Sequence, residues 1–447
     1  MSRRMRVAIV GSGISGLAAA HTLHEHADLT LFEAGDYFGG HTHTVDVTLP
    51  TPQGPRTWGV DTGFLVFNER TYPNLLNLFE QLRVPSVPSD MSFSVQVPAS
   101  ARAPALVWSG TNLSGLFAQR ANLWRPTFWR MLADIVRFNA LCTRIARAGQ
   151  EQALRQPLAD FLLQHRFGPA FRDGYFLPML GCIWSCPTDQ MLQFTVATMI
   201  RFCHNHGLLQ ITQRPQWFSV PGGARDYVQK IVARVPDARL NTPVRLIERS
   251  ADPAQGVRII TDGRSEVFDR VVLATHSDQA LALLREPSAA EQRVLGAIRY
   301  QPNRAVLHTD ASVMPPQRQA WAAWNYERSP DDGTESARVC LHYWLNQLQP
   351  LPFSQAVMVS LNPVRPIDPA QVIQEMRYEH PVFDLAAIDA QDQLPALQGE
   401  RNTWFAGAWA GYGFHEDGLK AGLAAAQGLL DRERNRHDAG DALARAA

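Results

Sequence analysis

The sequence predicts an α/β protein, with a Rossmann-like dinucleotide-binding domain at its start and a second domain of α+β character. Three observations carry that prediction. Residues 6–10 are an apolar, β-branched run that meets Gly11-Ser12-Gly13-Ile14-Ser15-Gly16. After the glycines, Ile14, Leu17, Ala18, His21 and Leu23 recur at helical spacing, and residues 29–32 read as a second strand ending at Glu33. Past residue 82 this alternation gives way to a mostly helical pattern and later to separated strands.

A Gly-x-Gly-x-x-Gly match gains meaning from a strand before it, a helix after it and an acid about 20 residues on. All three are present. Gly11 allows the tight turn, Gly13 lets the backbone approach a pyrophosphate, and Gly16 lets helix and strand pack closely, with Ser12, Ile14 and Ser15 completing the turn at the helix N-terminus. Glu33 is placed to accept both ribose hydroxyls, and it repels a 2′-phosphate, so a free ribose is favoured.

The chain has 447 residues, 45% of them hydrophobic, which is enough for two or three domains and a sizeable core. No apolar run approaches the roughly 20 residues of a membrane span. Residues 1–20 have the charged start and apolar body of a signal peptide, but the glycines and the Glu33 spacing make them strand and helix. A formal net charge of +0 gives no general attraction to nucleic acid. The five cysteines, Cys142, Cys182, Cys186, Cys203 and Cys340, are sparse and odd in number, which suits a reducing cytoplasm. Cys182 and Cys186 followed by Cys203-His204-Asn205-His206 lack the spacing of common zinc sites, so no metal is expected.

Next in order, residues 34–41 form a Gly-rich turn that returns the chain towards the nucleotide. Residues 58–61 read as a strand ending in Thr62-Gly63, and residues 72–82 as an amphipathic helix. Residues 83–215 read as mostly helical. Within them Arg120, Arg125, Arg130, Arg137, Arg144 and Arg147 stand against one acid, Asp134, while Phe128, Met131, Leu132, Ile135, Val136 and Phe138 supply apolar surface. Such a helix either makes a peripheral contact with an anionic membrane or is a solvated face over a core. Residues 161–191 are apolar enough to line a hydrophobic pocket or to be core.

The second half resumes with Gly222-Gly223 before a helix over 225–235 and a strand over 241–248. A hairpin turns at Asp262-Gly263. Residues 271–276 are a buried strand run ending at a helix start, Ser277-Asp278. Residues 286–394 hold separated strands, such as 305–308, 339–344 and 356–361. Residues 402–409 are a short strand entering a glycine turn, and residues 411–422 a loop entering an alanine-rich helix. Residues 431–447 read as a frayed tail.

Glu33-Ala34, Gly39-Gly40 and Asp61-Thr62-Gly63, at these intervals after the fingerprint, resemble the flavin-containing amine oxidase superfamily, which includes monoamine oxidases, protoporphyrinogen oxidase and carotenoid desaturases. The resemblance implies non-covalent FAD, since the motif of the covalent cysteine of monoamine oxidases is absent. It implies an FAD domain assembled from residues 1–82, 216–285 and 395–430, and a substrate domain from 83–215 and 286–394. It also implies that Gly39, Gly40, His41, Thr62 and Gly63 contact the cofactor and that Val244 sits beside the adenine. Ala274 and Thr275 lie near the cofactor, where proline is usual in place of His276. Gly407 and Ala408 approach the ribityl and pyrophosphate, and the helix opening at Glu416, Asp417 and Gly418 points at the flavin pyrimidine, where a helix N-terminus suits an anionic reduced ring. Many members carry an acid after the glycine, where this chain has Ala408-Trp409.

Flavin accepts hydride, so such a protein needs to hold a C–H bond over the ring and exclude water. Amine oxidases of the superfamily keep a lysine near the reactive nitrogen, and this chain has none between Lys230 and Lys420. Residues 39–44, 63–68 and 412–418 are more similar to a bacterial subgroup of FAD-binding proteins whose relatives occur beside cyclopropane fatty acid synthases. That similarity implies a dehydrogenase or desaturase of a hydrophobic, methyl-branched or cyclopropane-bearing acyl chain, cytoplasmic or membrane-peripheral, with a lipid methyltransferase or cyclopropane synthase as partner. An amine or polyamine oxidase, and a non-catalytic flavin- or lipid-binding partner, stay open. The candidates for the flavin face are Trp409, Tyr412, Phe414 and His415, with His41 and His43 as proton carriers because histidine titrates near neutrality.

Overall fold

Met5–Val10 is the central strand of a five-stranded parallel sheet ordered Asp237–Arg239, Ala27–Phe32, Met5–Val10, Arg270–Leu273, Thr403–Phe405. The computed structural model describes residues 4–99, 104–150, 154–185, 187–210, 214–328 and 339–446. Val7, Ala8, Ile9, Val271, Val272 and Leu273 are fully buried, the continuous apolar character that a strand covered on both faces requires. Helix Ile14–Leu23 packs closely against helix His415–Ala446: a Cβ on Gly422 would lie 2.1 Å from the Ser15 carbonyl oxygen. An antiparallel ribbon, Val244–Arg249, Val257–Thr261 and Ser265–Phe268, packs its Ile247, Ile259 and Phe268 with Ala8, Val10 and Phe32.

The last helix continues to Ala446, through the residues read as a frayed tail. Arg270, 6% exposed at the start of its strand, finds its carboxylate at Glu433, with Nε at 2.9 Å and a terminal nitrogen at 2.5 Å. An unpaired buried guanidinium is costly, so the helix is held at least that far.

A seven-stranded sheet stands beside the first, ordered Val372–Val382, Arg299–His308, Met358–Leu361, Val339–Trp344, Trp324–Arg328, Phe93–Val97, Leu106–Ser109. Its pairs are antiparallel except that Trp324–Arg328 runs parallel to Phe93–Val97. Two of these strands, with Val87–Ser89, fall where mostly helix was expected. Their signal was present: Phe93, Val95 and Val97 alternate with Ser94 and Gln96 at the period of a strand.

Helix Pro126–Arg147 buries Phe128, Met131, Phe138, Asn139 and Cys142. Phe138 packs on Phe167, Phe171 and Phe176 with centroids 4.9–5.4 Å away. Burying each such ring stabilises the fold by about 1.5–3 kcal/mol. Arg137 does not join a free basic stripe, since it bonds Asp134 and the carbonyl oxygens of His165 and Arg166. No helix among the described residues is long and apolar enough to cross a membrane.

Candidate cofactor and substrate site

The residues that follow three adjacent parallel strands open together onto one cavity of about 1040 Å³: Gly11 after Met5–Val10, Ala274 and Thr275 after Arg270–Leu273, and Gly407 and Ala408 after Thr403–Phe405. This is the carboxyl edge of the sheet, where open α/β sheets bind ligands. Gly11 has φ +97°, and a Cβ there would lie 2.5 Å from the Ala274 carbonyl oxygen, so the turn requires glycine. A Cβ on Gly16 would meet the Gly11 carbonyl oxygen at 1.9 Å, which makes Gly16 a packing glycine rather than a wall of the cavity.

Helix Ile14–Leu23 starts at Gly13 with no side-chain cap and no acid in its first turn, and nothing stands within 4 Å of where a Gly13 Cβ would be. Its first amides are therefore free for an anion. Glu33 lines the same cavity, but Oε2 accepts from the amide (3.0 Å) and hydroxyl (2.5 Å) of Ser12, and Oε1 accepts from the Gly35 amide at 2.8 Å. A carboxylate has about four acceptor sites, so both ribose hydroxyls bind here only if the Ser12 hydroxyl turns away. Ser12, Ile14, Ser15, Ala34, Gly39, Gly40, His41, Thr62, Gly63 and Val244 also line the cavity.

Three expected cofactor contacts are placed elsewhere. Glu416 is 3% exposed and caps helix Pro73–Leu82, accepting from the amides of Asn74 and Leu75 and from Asn74 Nδ2 at 2.6–3.0 Å. Asp417 accepts from the Phe414 amide at 3.0 Å, closing its own loop, and burial raises its pKa to about 6. Gly418 packs on Ile14, where a Cβ would come within 2.7 Å of a side-chain carbon. His43 also leaves the set of cavity residues: it stacks on Tyr37 at 4.1 Å and its Nδ1 lies 3.1 Å from the Tyr378 hydroxyl.

Trp409, Tyr412, Phe414, His415 and His41 do line the cavity. Trp409 donates from Nε1 to the Thr275 carbonyl at 3.0 Å, so it braces two of the strand ends. Phe414 stacks on Phe202 at 4.7 Å. His41 Nε2 is buried with no hydrogen-bond partner, and burial, with His380, His276 and His415 nearby, lowers its pKa to about 3. An orphaned ring nitrogen on a cavity wall is a group in want of a ligand.

Sequence reasoning missed Tyr378, His380 and Tyr300, which line the same end as His276. The Tyr378 hydroxyl meets Thr62 Oγ1 at 2.9 Å, and His276 stacks on Tyr300 at 4.2 Å, 11° from parallel. Tyr378 and His380 alternate along strand Val372–Val382, a period that puts both on one face. The rest of the cavity is mostly apolar, with Met91, Leu116, Leu132, Ile135, Met179 and Ile183 among its walls. Neither lysine of the chain lines it.

The family model described as flavin containing amine oxidoreductase matches residues 14–430. The chain belongs to that family. Its members bind FAD, and this family member is an FAD-dependent oxidoreductase. Cyclohexylamine oxidase from Brevibacterium oxydans IH-35A shares the fold at TM-score 0.67 and 17% identity, covering 97% of this chain and 100% of that one. A CLA-producing fatty acid isomerase from P. acnes shares it at TM-score 0.65 and 16% identity, covering 96% and 99%. Putrescine oxidase bound to putrescine does so at TM-score 0.63 and 15% identity, again covering 96% and 99%. No curated protein matches the chain by sequence.

FAD fits what the cavity offers. The uncapped helix N-terminus at Gly13 suits a pyrophosphate, Glu33 suits a ribose hydroxyl, and the unpartnered His41 nitrogen suits a polar edge of the cofactor.

Proposed function

We propose that the protein is a dehydrogenase or desaturase that removes hydride from a fatty acyl chain, methyl-branched or bearing a cyclopropane, with non-covalent FAD. The supporting observation is the apolar half of the cavity. It is continuous with the nucleotide cradle, and among the described residues its walls carry no carboxylate to receive an ammonium: the described acids that line the cavity, Glu33 and Glu379, stand at the Ser12 turn and beside His276. When bound, FAD supplies the hydride acceptor. The chain's own residues do the rest. Gly11, Ser12 and the free amides after Gly13 hold the phosphates, Trp409 and Gly407 fix the second strand end, and the apolar walls exclude water from the reacting C–H bond.

His41 and His415 stay neutral at physiological pH, so they act as hydrogen-bonding walls rather than as acids. An acyl chain reaches the cavity past helix Pro126–Arg147, whose Val136 lines it and is 55% exposed. Trp124 and Trp129, 87% and 48% exposed, and the exposed Arg130 and Arg144 give that face the composition of a peripheral contact with an anionic bilayer. Anaerobic mixing of the flavin-loaded protein with branched, cyclopropane and straight-chain acyl compounds tests the reading. Bleaching of the flavin band by an acyl compound is expected, and none by any of them refutes it.

Amine oxidation is the second reading, favoured by the family match. Peroxide release from an amine panel distinguishes it.

A further inference from the structure

Two polar side chains on the cavity wall, Tyr175 and Arg214, are used by neither the cofactor cradle nor the acyl reading. Tyr175 lies in a π-helical segment, Arg172–Phe176, inserted between two helices. Such insertions cluster at functional sites because they turn one side chain out of the helical register. The Tyr175 hydroxyl has no hydrogen-bond partner among the described residues, and it lines the cavity.

Arg214 lines the same wall. It spends only Nε, on the Gln210 carbonyl at 2.9 Å, and its terminal nitrogens have no partner among the described residues. Burial raises the Tyr175 hydroxyl, and Arg214, on the same cavity wall, acts on it electrostatically in the opposite sense. The other cation on the cavity wall, Arg245, is bound to Asp262 beside Val244.

We propose that Tyr175 and Arg214 form a head-group site for the carboxylate of a free fatty acid, whose chain runs from there towards the nucleotide cradle. This rests on the acyl reading and names its substrate class as the free acid, not an ester, a thioester or an amine. A guanidinium binds a carboxylate with charge-assisted hydrogen bonds, the hydroxyl adds a neutral donor, and an ammonium at the same place is repelled.

The test uses the flavin-loaded protein and a fluorescent probe, dansylaminoundecanoic acid, displaced by oleate, methyl oleate or oleylamine. Oleate is expected to displace the probe at about tenfold lower concentration than its ester or amine, and Arg214→Ala to weaken oleate about tenfold while leaving the ester unchanged. Tyr175→Phe is expected to weaken oleate about threefold to tenfold. Arg214→Lys recovers part of the loss. Arg214 is exposed, so its variants are expected to keep the wild-type melting temperature and visible flavin spectrum. Equal oleate affinity in Arg214→Ala, or a preference of the wild type for the ester or amine, overturns the site. The two readings fail separately: displacement of the probe by oleate, with no flavin reduction by any branched, cyclopropane or straight-chain acyl compound, removes the redox reading alone. An ester that reduces the flavin equally in the wild type and Arg214→Ala removes the head-group site alone.

Discussion

The imidazole of His415 lies face to face on Phe64, centroids 3.8 Å apart and planes 13° from parallel, with Nε2 2.8 Å from the Tyr227 hydroxyl. Burial lowers its pKa to about 3, so the ring is neutral and works as a brace: it ties the start of the last helix to helix Arg225–Val232 and to the Phe64 loop. His415→Phe keeps the stack and loses one hydrogen bond. It is expected to cost about 1 kcal/mol and to leave the flavin-to-protein ratio and visible spectrum constant from about pH 6 to pH 9. A spectrum that titrates near neutrality only in the wild type would show instead that His415 carries a proton there.

Acid should destabilise this protein through its cavity histidines. His41, His380 and His415 have pKa values of about 3, 4 and 3 because burial penalises the cation; their edges line the cavity, but protein packs around the rest of each ring. The unfolded chain titrates them near 6.5, so as pH falls from about 6.5 to 4 it takes up protons the folded state refuses, and stability drops by up to about 1.4 kcal/mol per unit for each ring. Asp61 acts in the opposite sense. Burial raises its folded pKa to about 7, against hydrogen bonds from Thr44 and Ala224, so its contribution is present below about pH 4 and is lost as pH rises to 7. Urea unfolding is therefore expected to show falling stability from pH 6.5 to 4.5, and a steeper fall in Asp61→Asn, where the opposing carboxyl no longer titrates. A variant slope no steeper than wild type would refute that assignment.

The nucleotide cradle was legible because its chemistry is local. Gly11, Gly13, Gly16 and Glu33 lie within one strand-helix-strand unit, and the needs of Gly11 and Gly16 are set by backbone next to them in sequence or in the adjoining strand. The aromatic end of the cavity was not, since Tyr378 meets Thr62 from 316 residues away and only the pairing of distant strands brings them together. Glu416 shows the converse error. An acid at a helix start is a fair candidate for a cofactor contact, yet its partner is the N-terminus of a helix 341 residues earlier, an orphan that no local pattern announces.

That cap makes a separate prediction. Glu416 satisfies two backbone amides and the Asn74 side chain with one carboxylate, so Glu416→Ala leaves buried donors unpaired. The expected loss is about 2–4 kcal/mol, read as a lower urea midpoint, because hydrogen bonds to charged groups are worth about 1.5–3 kcal/mol each and water replaces some of them. Flavin bound per folded molecule is expected to stay at the wild-type level, since Glu416 is not on the cavity wall. Loss of flavin without loss of stability would restore Glu416 to the cofactor site.

Glu327 and His342 face each other across neighbouring antiparallel strands, Oε2 to Nε2 3.0 Å, with Arg365 on the carboxylate at 3.0 Å and Ser360 on His342 Nδ1 at 2.6 Å. Trp324, Tyr343 and Val359 on the same three strands line the cavity, so by alternation this buried pair occupies the opposite face of the sheet. Burial disfavours the His342 cation, but the Cys340 sulfur and Glu327 outweigh it and hold the pKa at about 9. A folded pKa above the unfolded value near 6.5 gives stability that is complete below 6.5 and lost as pH rises towards 9. Glu327→Gln is expected to cost about 3–5 kcal/mol at neutral pH, the usual result of removing one partner of a buried pair, and to flatten the decline between pH 7 and 9. The flavin spectrum is expected not to change, because the sheet separates the pair from the cavity. Glu327, Cys340 and His342 also converge within 4.8 Å, but Arg365 already neutralises the carboxylate, so added zinc is expected to leave the melting temperature where it was.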